Sequence, residues 1–380
     1  MSAARSPEPY RFLVARGDLR HTRCTSDPDA PGARALAAGE VRLRVEQFAL
    51  TANNVTYAAF GQEMDYWRFF PSGDEAFGCI PVWGFATVVE SRCEGVESGM
   101  RVYGYLPMGS YLVVQPARVR PRGFVDAAPH RAGLAAAYND YAACAQDPLY
   151  DAQREGLQAL LRPLFTTSFL LDDFLAGQGD FGARRLVLSS ASSKTAYGTA
   201  FCIGRRAGHP QRVGLTSRGN FDFVRSLGCY EQVLAYDELP SLDANVPASY
   251  VDFAGSAPLR LAVHRHLGDA LRYSCAVGGS HWQDLRSPAA ERLPGPAPQL
   301  FFAPAQAQRR AAPPPEGLGP RGLEQAIAGA WHAFIETLST ASPPWLVVRH
   351  GRGPQAMADA LSALVGGAAD PREGLMLSPD

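Results

Sequence analysis

Residues 186–204 read LVLSSASSKTAYGTAFCIG: three apolar residues, a turn built almost wholly of small hydroxyl side chains, then a stretch with helical spacing. In a dinucleotide-binding fold the first strand ends in a tight turn that opens a helix. Backbone N–H groups and the helix N-terminus meet a pyrophosphate there, and glycines permit its close approach. The GxGxxG glycines are missing here. Small side chains still leave room for an anion, Ser190, Ser192, Ser193 and Thr195 carry hydroxyls, and Lys194 adds positive charge. Taken alone, the turn reads equally as a serine-and-lysine anion cradle or as a solvated helix cap.

Downstream the same rhythm continues. Segments 212–216, 232–236, 250–254 and 273–277 read as strands, with helices over 195–206, 220–227 and 264–271. Strands alternating with helices make βαβ units and a parallel sheet. The second strand ends in Thr216-Ser217-Arg218, where an NAD fold carries an acid for the ribose and an NADP fold needs a cation. Ser217 and Arg218 supply a hydroxyl and a guanidinium, with no acid before Asp222, which favours NADP.

Upstream, segments 43–50, 82–90, 101–106 and 111–114 read as short strands punctuated by Gly and Pro, as in a small barrel or sandwich. Segment 154–175 reads as one or two helices, with Pro163 marking a break or a first turn. Residues 286–320 hold many prolines and little periodicity apart from Leu300-Phe301-Phe302, and beyond them come a helix over 322–340, a strand over 345–348 and a helix over 354–364. The expected organisation is α/β in three parts: a β-rich domain over 1–150, a Rossmann-like domain over 151–304, and a tail over 305–380.

Composition narrows the function classes. The 380 residues are 46% hydrophobic and 19% charged with a net charge of −1, so no basic field exists to hold a nucleic-acid backbone. No apolar run reaches the roughly 18–20 residues that span a bilayer, and the first residues lack a signal-peptide core. A soluble, cytoplasmic protein is expected. The seven cysteines are odd in number and never spaced CxxC, which argues for reduced, packed thiols over a disulfide framework or zinc cage. Of the 36 basic residues only Lys194 is lysine. A lysine standing where arginine is the default belongs where a compact ammonium matters, and phosphate binding is the preferred role over proton donation to substrate.

EVRLRVEQFALTANNVTYAAFG, CIPVWGFATVVES, VESGMRVYGYLPMGSYLVVQPARV, LVLSSASSKTAYGTAFCIG, VGLTSRGNFDFVRSLGCYEQVLAYDE, YVDFAGSAPLRLAVHRHLG and FFAPAQ follow one another along the chain. In that order they resemble the zinc-independent medium-chain dehydrogenase/reductase superfamily, which includes quinone oxidoreductase-like proteins. YNDY (138–141), LLRPLFTTSFLLDDFL and SSASSKTAYG resemble its DUF2855 branch more closely. The resemblance implies a GroES-like catalytic domain, a Rossmann domain, a tail returning to the catalytic domain, NADP(H) in an interdomain cleft, and a homodimer. It adds Phe253, Ala254, Gly278 and Phe302 to the cofactor-binding set of Ser190, Ser192, Ser193, Lys194, Thr195, Ser217 and Arg218. Val82-Trp83-Gly84-Phe85 stands where zinc-dependent relatives carry Gly-His-Glu, and the structural four-cysteine lobe is missing, so no metal is expected.

Reductases of this type hold a carbonyl by hydrogen bonds while hydride adds to a conjugated carbon, which calls for an oxyanion donor and a weak acid. Asn54 and Tyr57 follow the strand after which relatives place substrate-facing polar residues. Tyr138 and Asn139 lie where the domains are expected to meet. These four are the candidate catalytic residues. The aromatic run 64–70 reads as a packed loop or as a lid over an apolar substrate. His264 and His266, two apart on a helix, make a poor metal pair. A Ser-x-x-Lys hydrolase motif fails because Ala191 stands three before Lys194. Three readings remain: an NADPH-dependent reductase of an enone, quinone or enoyl thioester, a non-redox lyase, isomerase or aldol-type enzyme, or a degenerate binding protein. The expected partner is a small apolar or aromatic substrate.

Overall fold

Arg185–Leu188 is buried along its whole length, as the central strand of a parallel sheet covered on both faces must be. The computed structural model describes residues 8–277, 293–367 and 369–380. Around that strand runs a six-stranded sheet in the order Gln232–Ala235, Gln211–Thr216, Arg185–Leu188, Ala248–Asp252, Leu271–Val277, Gln299–Phe301. Every neighbouring pair is parallel. Numbered along the chain this is 3-2-1-4-5-6, the order of the dinucleotide-binding fold, whose ligand crevice opens where strand order reverses, outside the carboxyl ends of strands 1 and 4.

A buried polar knot ties those two ends together. The Ser189 hydroxyl donates to Asp252 Oδ1 at 2.9 Å and accepts the N–H groups of Phe253 and Ala254 at 2.9 and 3.0 Å. Asp252 Oδ1 also accepts the Gly255 N–H at 3.0 Å, while Oδ2 pairs with Arg260 at 2.9 Å. Both charged side chains are almost fully buried. An unpaired charge there would carry the whole desolvation penalty.

Two features of this unit differ from the sequence expectation. The helix expected over 264–271 runs over Ala257–Leu267, starting from a Ser256 cap whose hydroxyl accepts the Leu259 N–H, with Pro in its first turn. Of the one or two helices expected over 154–175, the structure has one, Glu155–Gly177, in which Pro163 is neither a break nor a first turn. Proline forfeits one hydrogen bond but does not end a helix whose apolar side chains are held by packing. Phe165 stacks on Phe334 at 4.7 Å and meets Trp331 at 5.6 Å, both from the long helix Gly319–Thr340.

The chain divides into two compact units, residues 161–345 and residues 1–160 with 346–380. The latter is built on a nine-stranded, largely antiparallel sheet in which Val41–Leu50, Pro81–Ser91 and Arg101–Pro107 lie side by side. Its edges include strands the alternation pattern did not single out, Pro116–Arg120, Gly123–Asp126 and Asp140–Ala143. The C-terminal strand Glu373–Ser378 pairs antiparallel with Val41–Leu50. Tyr10, on a separate three-stranded sheet, donates its hydroxyl to the Pro379 carbonyl at 3.0 Å. Gly123 has φ +131, and a Cβ there would lie 1.8 Å from the Tyr141 carbonyl oxygen, so only glycine lets these edge strands meet. All seven cysteines are free thiols, and five of them are buried. Cys24 is exposed, so packing does not account for it.

The buried knot predicts a measurable asymmetry. Asp252→Ala strands the Arg260 guanidinium and should lower the unfolding free energy by about 3–5 kcal/mol. Ser189→Ala should cost about 1–3 kcal/mol, since it removes only a neutral partner. Urea denaturation of the two variants checks this; equal losses would show that the charge pair is not the tie.

Candidate functional site

At the carboxyl edge of the parallel sheet, the serine turn is held from several sides. Ser190 takes a left-handed φ of +47, the conformation that glycine otherwise supplies. Its carbonyl accepts the Ser193 N–H at 2.8 Å, and the Ala191 N–H donates across to Leu215 at 3.0 Å. The Tyr230 hydroxyl donates to the Ala191 carbonyl at 2.9 Å. Ser193 caps helix Lys194–Gly204, its Oγ accepting the Ala196 N–H. Buried Ser192 accepts from Asn220 Nδ2 at 3.1 Å. Ser190, Ser193, Lys194 and Thr195 are half-buried, at a helix N-terminus where the first N–H groups have no intrahelical acceptor. A Cβ on Gly198 would come within 2.8 Å of Ser168 Oγ, and Ser168 donates to the Thr195 carbonyl at 2.8 Å. The helix is thereby pinned close to its neighbour.

The other expected cofactor residues divide. Phe253 and Ala254 follow strand 4, beside the serine turn, but their N–H groups are turned inward onto Ser189. Ser217 and Arg218 follow strand 2. Arg218 is exposed and pairs with Asp237 at 3.0 Å and Glu238 at 2.8 Å. The acids missing from the next few residues thus arrive from the end of strand 3. Phe302 is exposed just past strand 6. Gly278 lies outside the described residues.

In the antiparallel unit, Tyr57 and Tyr138 come together and bring unforeseen partners. Tyr57 lies 4.5 Å from Tyr66, 5.7 Å from Tyr105 and 6.2 Å from Tyr138, ring centre to ring centre. Tyr105 and Tyr138 are 4.7 Å apart, and Trp83 lies 5.0 Å from Tyr105, its partner across the strands. The hydroxyls of Tyr66 and Tyr138 are 3.4 Å apart. Phe69 closes one side of the cluster, while Trp67 fills the space beside Gly61 and Gly78. The aromatic run 64–70 is therefore mostly core, with Met64 exposed.

Asn54 and Asn139 have different surroundings. The Asn54 Oδ1 accepts from the Thr51 N–H at 2.7 Å and the Thr51 hydroxyl at 3.0 Å, and its Nδ2 donates to the Pro81 carbonyl at 2.9 Å. That amide fixes the start of helix Ala52–Ala59 and so the place of Tyr57 one turn on. Asn139 accepts from Arg131 at 3.4 Å. Arg131 is itself buried, paired with Asp126 at 2.9 Å, and donates to the Tyr141 hydroxyl, which donates to the Tyr105 carbonyl at 2.6 Å. Tyr105 and Trp83 were legible only as strand residues. The sequence signal was there, since Tyr103 and Tyr105 share one face of a period-two strand.

Among the described residues no group of three or more His, Cys, Asp or Glu side chains could hold a metal ion, and no helix is long and apolar enough to cross a membrane. The family described as a protein of unknown function, DUF2855, matches residues 48–370. No curated protein matches the sequence. Among solved structures, CurA from Vibrio vulnificus is 14% identical with a TM-score of 0.57, covering 98% of this chain and 99% of that one. The same protein in complex with NADPH is 13% identical over the same shares, again at 0.57. A mutant enoyl thioester reductase from Candida tropicalis is 11% identical, covering 97% and 99%, with a TM-score of 0.57. At these identities the likeness speaks for the fold, a GroES-like β-rich part joined to a Rossmann-type parallel sheet.

Burial sets the protonation state of the phenols. It pushes Tyr57 up to about 12, against an ordinary value of 10.0, with Trp83, Asn53 and Tyr138 pulling back by hydrogen bonding. Burial, with neighbouring phenols adding to it, holds Tyr105 and Tyr138 well above that value. The folded cluster therefore stays neutral while unfolded tyrosines ionise above pH 10. Its contribution to stability is full below that pH and is lost as pH rises through the folded values. Alkaline absorbance titration should resolve a class of phenols that ionises only on unfolding, and Tyr57→Phe should shrink that class.

Proposed function

The chain belongs to the DUF2855 family, and on that footing we propose that it is an NADPH-dependent oxidoreductase that reduces a conjugated carbonyl by hydride transfer without a metal. The observation that carries the reading is the serine turn at the strand-order reversal: small side chains, a helix N-terminus and the chain's one lysine meet where this fold binds dinucleotides. CurA, which shares the fold, binds NADPH in its own structure.

The residues fit such a group. Ser190, Ser193, Lys194 and Thr195 would hold the pyrophosphate, and Ser217 and Arg218 the 2′-phosphate. Bound NADPH would supply the hydride. Tyr57 and Tyr138, kept neutral by burial, would donate hydrogen bonds to the substrate carbonyl and stabilise the charge that develops on its oxygen. Phenols this reluctant to ionise act as hydrogen-bond donors and keep their protons, so the proton that completes the reduction at the enolate carbon would come from solvent water. Asn54 and Asn139 serve as positioning residues. Half-buried Phe253 and exposed Phe302 offer apolar contacts beside the nucleotide.

Arg218 meets a competitor in Asp237 and Glu238. Exposed ion pairs of this kind are screened by water and weak, so a phosphate can displace them at small cost. Titration with NADPH and NADH, followed by nicotinamide fluorescence, tests the reading. NADPH should bind more tightly than NADH. Lys194→Ala should weaken NADPH about tenfold or more, and Arg218→Ala should erase the preference for NADPH. Neutralising the acids with Asp237→Asn and Glu238→Gln should strengthen NADPH binding about two- to fivefold. Absence of binding to either nucleotide would overturn the proposal, and binding without turnover of any enone, quinone or enoyl thioester would favour the non-redox reading.

A further inference from the structure

Three successive peptides make the serine turn, and two of them are fixed by backbone bonds. The Ser190–Ala191 peptide is held at both ends, its carbonyl accepting the Ser193 N–H at 2.8 Å and its N–H donating to Leu215 at 3.0 Å. The first of those bonds also fixes the Ser192–Ser193 peptide. Between them, the Ala191–Ser192 peptide makes one bond among the described residues, from the buried Tyr230 hydroxyl to the Ala191 carbonyl at 2.9 Å. A trans peptide is planar, with C=O and N–H pointing opposite ways, so a carbonyl drawn to Tyr230 sends the Ser192 N–H away from that ring. The Ala191 carbonyl also stands four residues before the Thr195 N–H, in the first turn of helix Lys194–Gly204. Turned to Tyr230, it leaves the Thr195 N–H too without a backbone acceptor among the described residues.

The Tyr230 ring is itself seated by a glycine. A Cβ on Gly214, in strand 2, would lie 3.0 Å from the Ala191 Cβ and 3.1 Å from the Tyr230 ring. The space that a dinucleotide fingerprint takes from glycines inside the turn is here taken from a glycine in the adjoining strand. The next residue anchors Tyr230 in turn, the Glu231 N–H donating to the Arg212 carbonyl at 3.0 Å. Burial holds the Tyr230 phenol well above its ordinary value, so it remains a donor. We infer that Tyr230 is a positioning residue whose hydroxyl latches the Ala191–Ser192 peptide, so that the turn presents an N–H to an anion in place of a carbonyl. Flipped, the same peptide would aim a partial negative charge at a phosphate, whereas successive N–H groups make an anion-binding concavity. This rests on the reading of the serine turn as a pyrophosphate site, and it explains how the turn serves that purpose without the fingerprint glycines.

Calorimetric titration of the full chain with inorganic pyrophosphate, adenosine 2′-phosphate and NADPH tests this. The parent should bind pyrophosphate. Tyr230→Phe keeps the packed ring and deletes the donor. It should weaken pyrophosphate and NADPH about tenfold and leave adenosine 2′-phosphate, which has no pyrophosphate, unchanged. A merely structural role would weaken all three alike. Gly214→Ala reaches the same bond by a second route, since it crowds the ring and keeps the hydroxyl. It should show the same selective loss, and the double variant should lose no more than Tyr230→Phe alone, because both act through one bond. The inference is overturned if the parent does not bind pyrophosphate, if Tyr230→Phe binds it as the parent does, or if all three ligands weaken together. Pyrophosphate binding that Tyr230→Phe weakens, in a parent that binds no NADPH, would overturn the cofactor reading and leave the latch in place.

Discussion

The knot of Ser189, Asp252 and Arg260 is the constraint on which the parallel-sheet unit rests. A dinucleotide fold must bring two strand ends together where strand order reverses, and each end exposes backbone groups that the sheet no longer pairs. Here one carboxylate takes the Ser189 hydroxyl, two backbone N–H groups and a guanidinium at once. Because both charges are buried and fully paired, neither can move without exposing the other. That rigidity explains how Ser190 can hold a left-handed φ of +47, a conformation a non-glycine residue keeps only when its surroundings over-determine it. The missing fingerprint glycine is thus replaced by an anchored serine, which adds a hydroxyl at the same point.

A second buried pair plays the corresponding part in the antiparallel unit. Asp126 and Arg131 are each about 1% exposed, and Arg131 reaches the Tyr141 hydroxyl and Asn139 while lying over the rings of Phe69 and Phe70. Tyr141 passes the constraint on through the Tyr105 carbonyl. The phenols are therefore set by a charged, hydrogen-bonded floor and not by apolar packing alone. Packing would tolerate a rotated ring, whereas a buried ion pair that also hydrogen-bonds its neighbours does not.

Local patterns were legible in the sequence and distant partners were not. The run LVLSSASSKTAYG announces strand, turn and cap because each signal lies within a few residues of its effect. Helix Ala257–Leu267 carried its start signals too, a serine two residues before a proline, but its weak amphipathic pattern hid its first two turns. Pro163 misled in the other direction, because aromatic contacts from residues more than 150 positions away hold that helix straight through. Arg218 finds its acids 19 and 20 residues later, across a parallel strand pair that no local window reveals. Tyr105 and Trp83 were readable as strand residues, but their meeting depends on the register of Pro81–Ser91 against Arg101–Pro107, which only the folded sheet fixes.

The serine turn and the phenol cluster share a physical logic despite their different chemistry. At the serine turn the donors are hydroxyls, helix N–H groups and one lysine. In the phenol cluster they are tyrosine hydroxyls and an indole, with carboxylates kept at a remove behind Arg131. The carboxylates near either place, Asp252, Asp237 and Glu238 at the sheet edge and Asp126 beside the phenols, are each paired with an arginine, and neither place offers a strong acid. The serine turn is thereby suited to receiving electron density as phosphate oxygens, and the phenol cluster, in the other unit, as a carbonyl oxygen. It is poorly suited to abstracting a proton, because no residue in the cluster is a base at neutral pH when burial raises every phenol. Lyase, isomerase and aldol chemistry generally begin with such an abstraction. Hydride addition to a conjugated carbon requires that the oxygen be held and its charge tolerated until a solvent proton reaches the enolate carbon, and the composition of the phenol cluster therefore weighs towards the reductase.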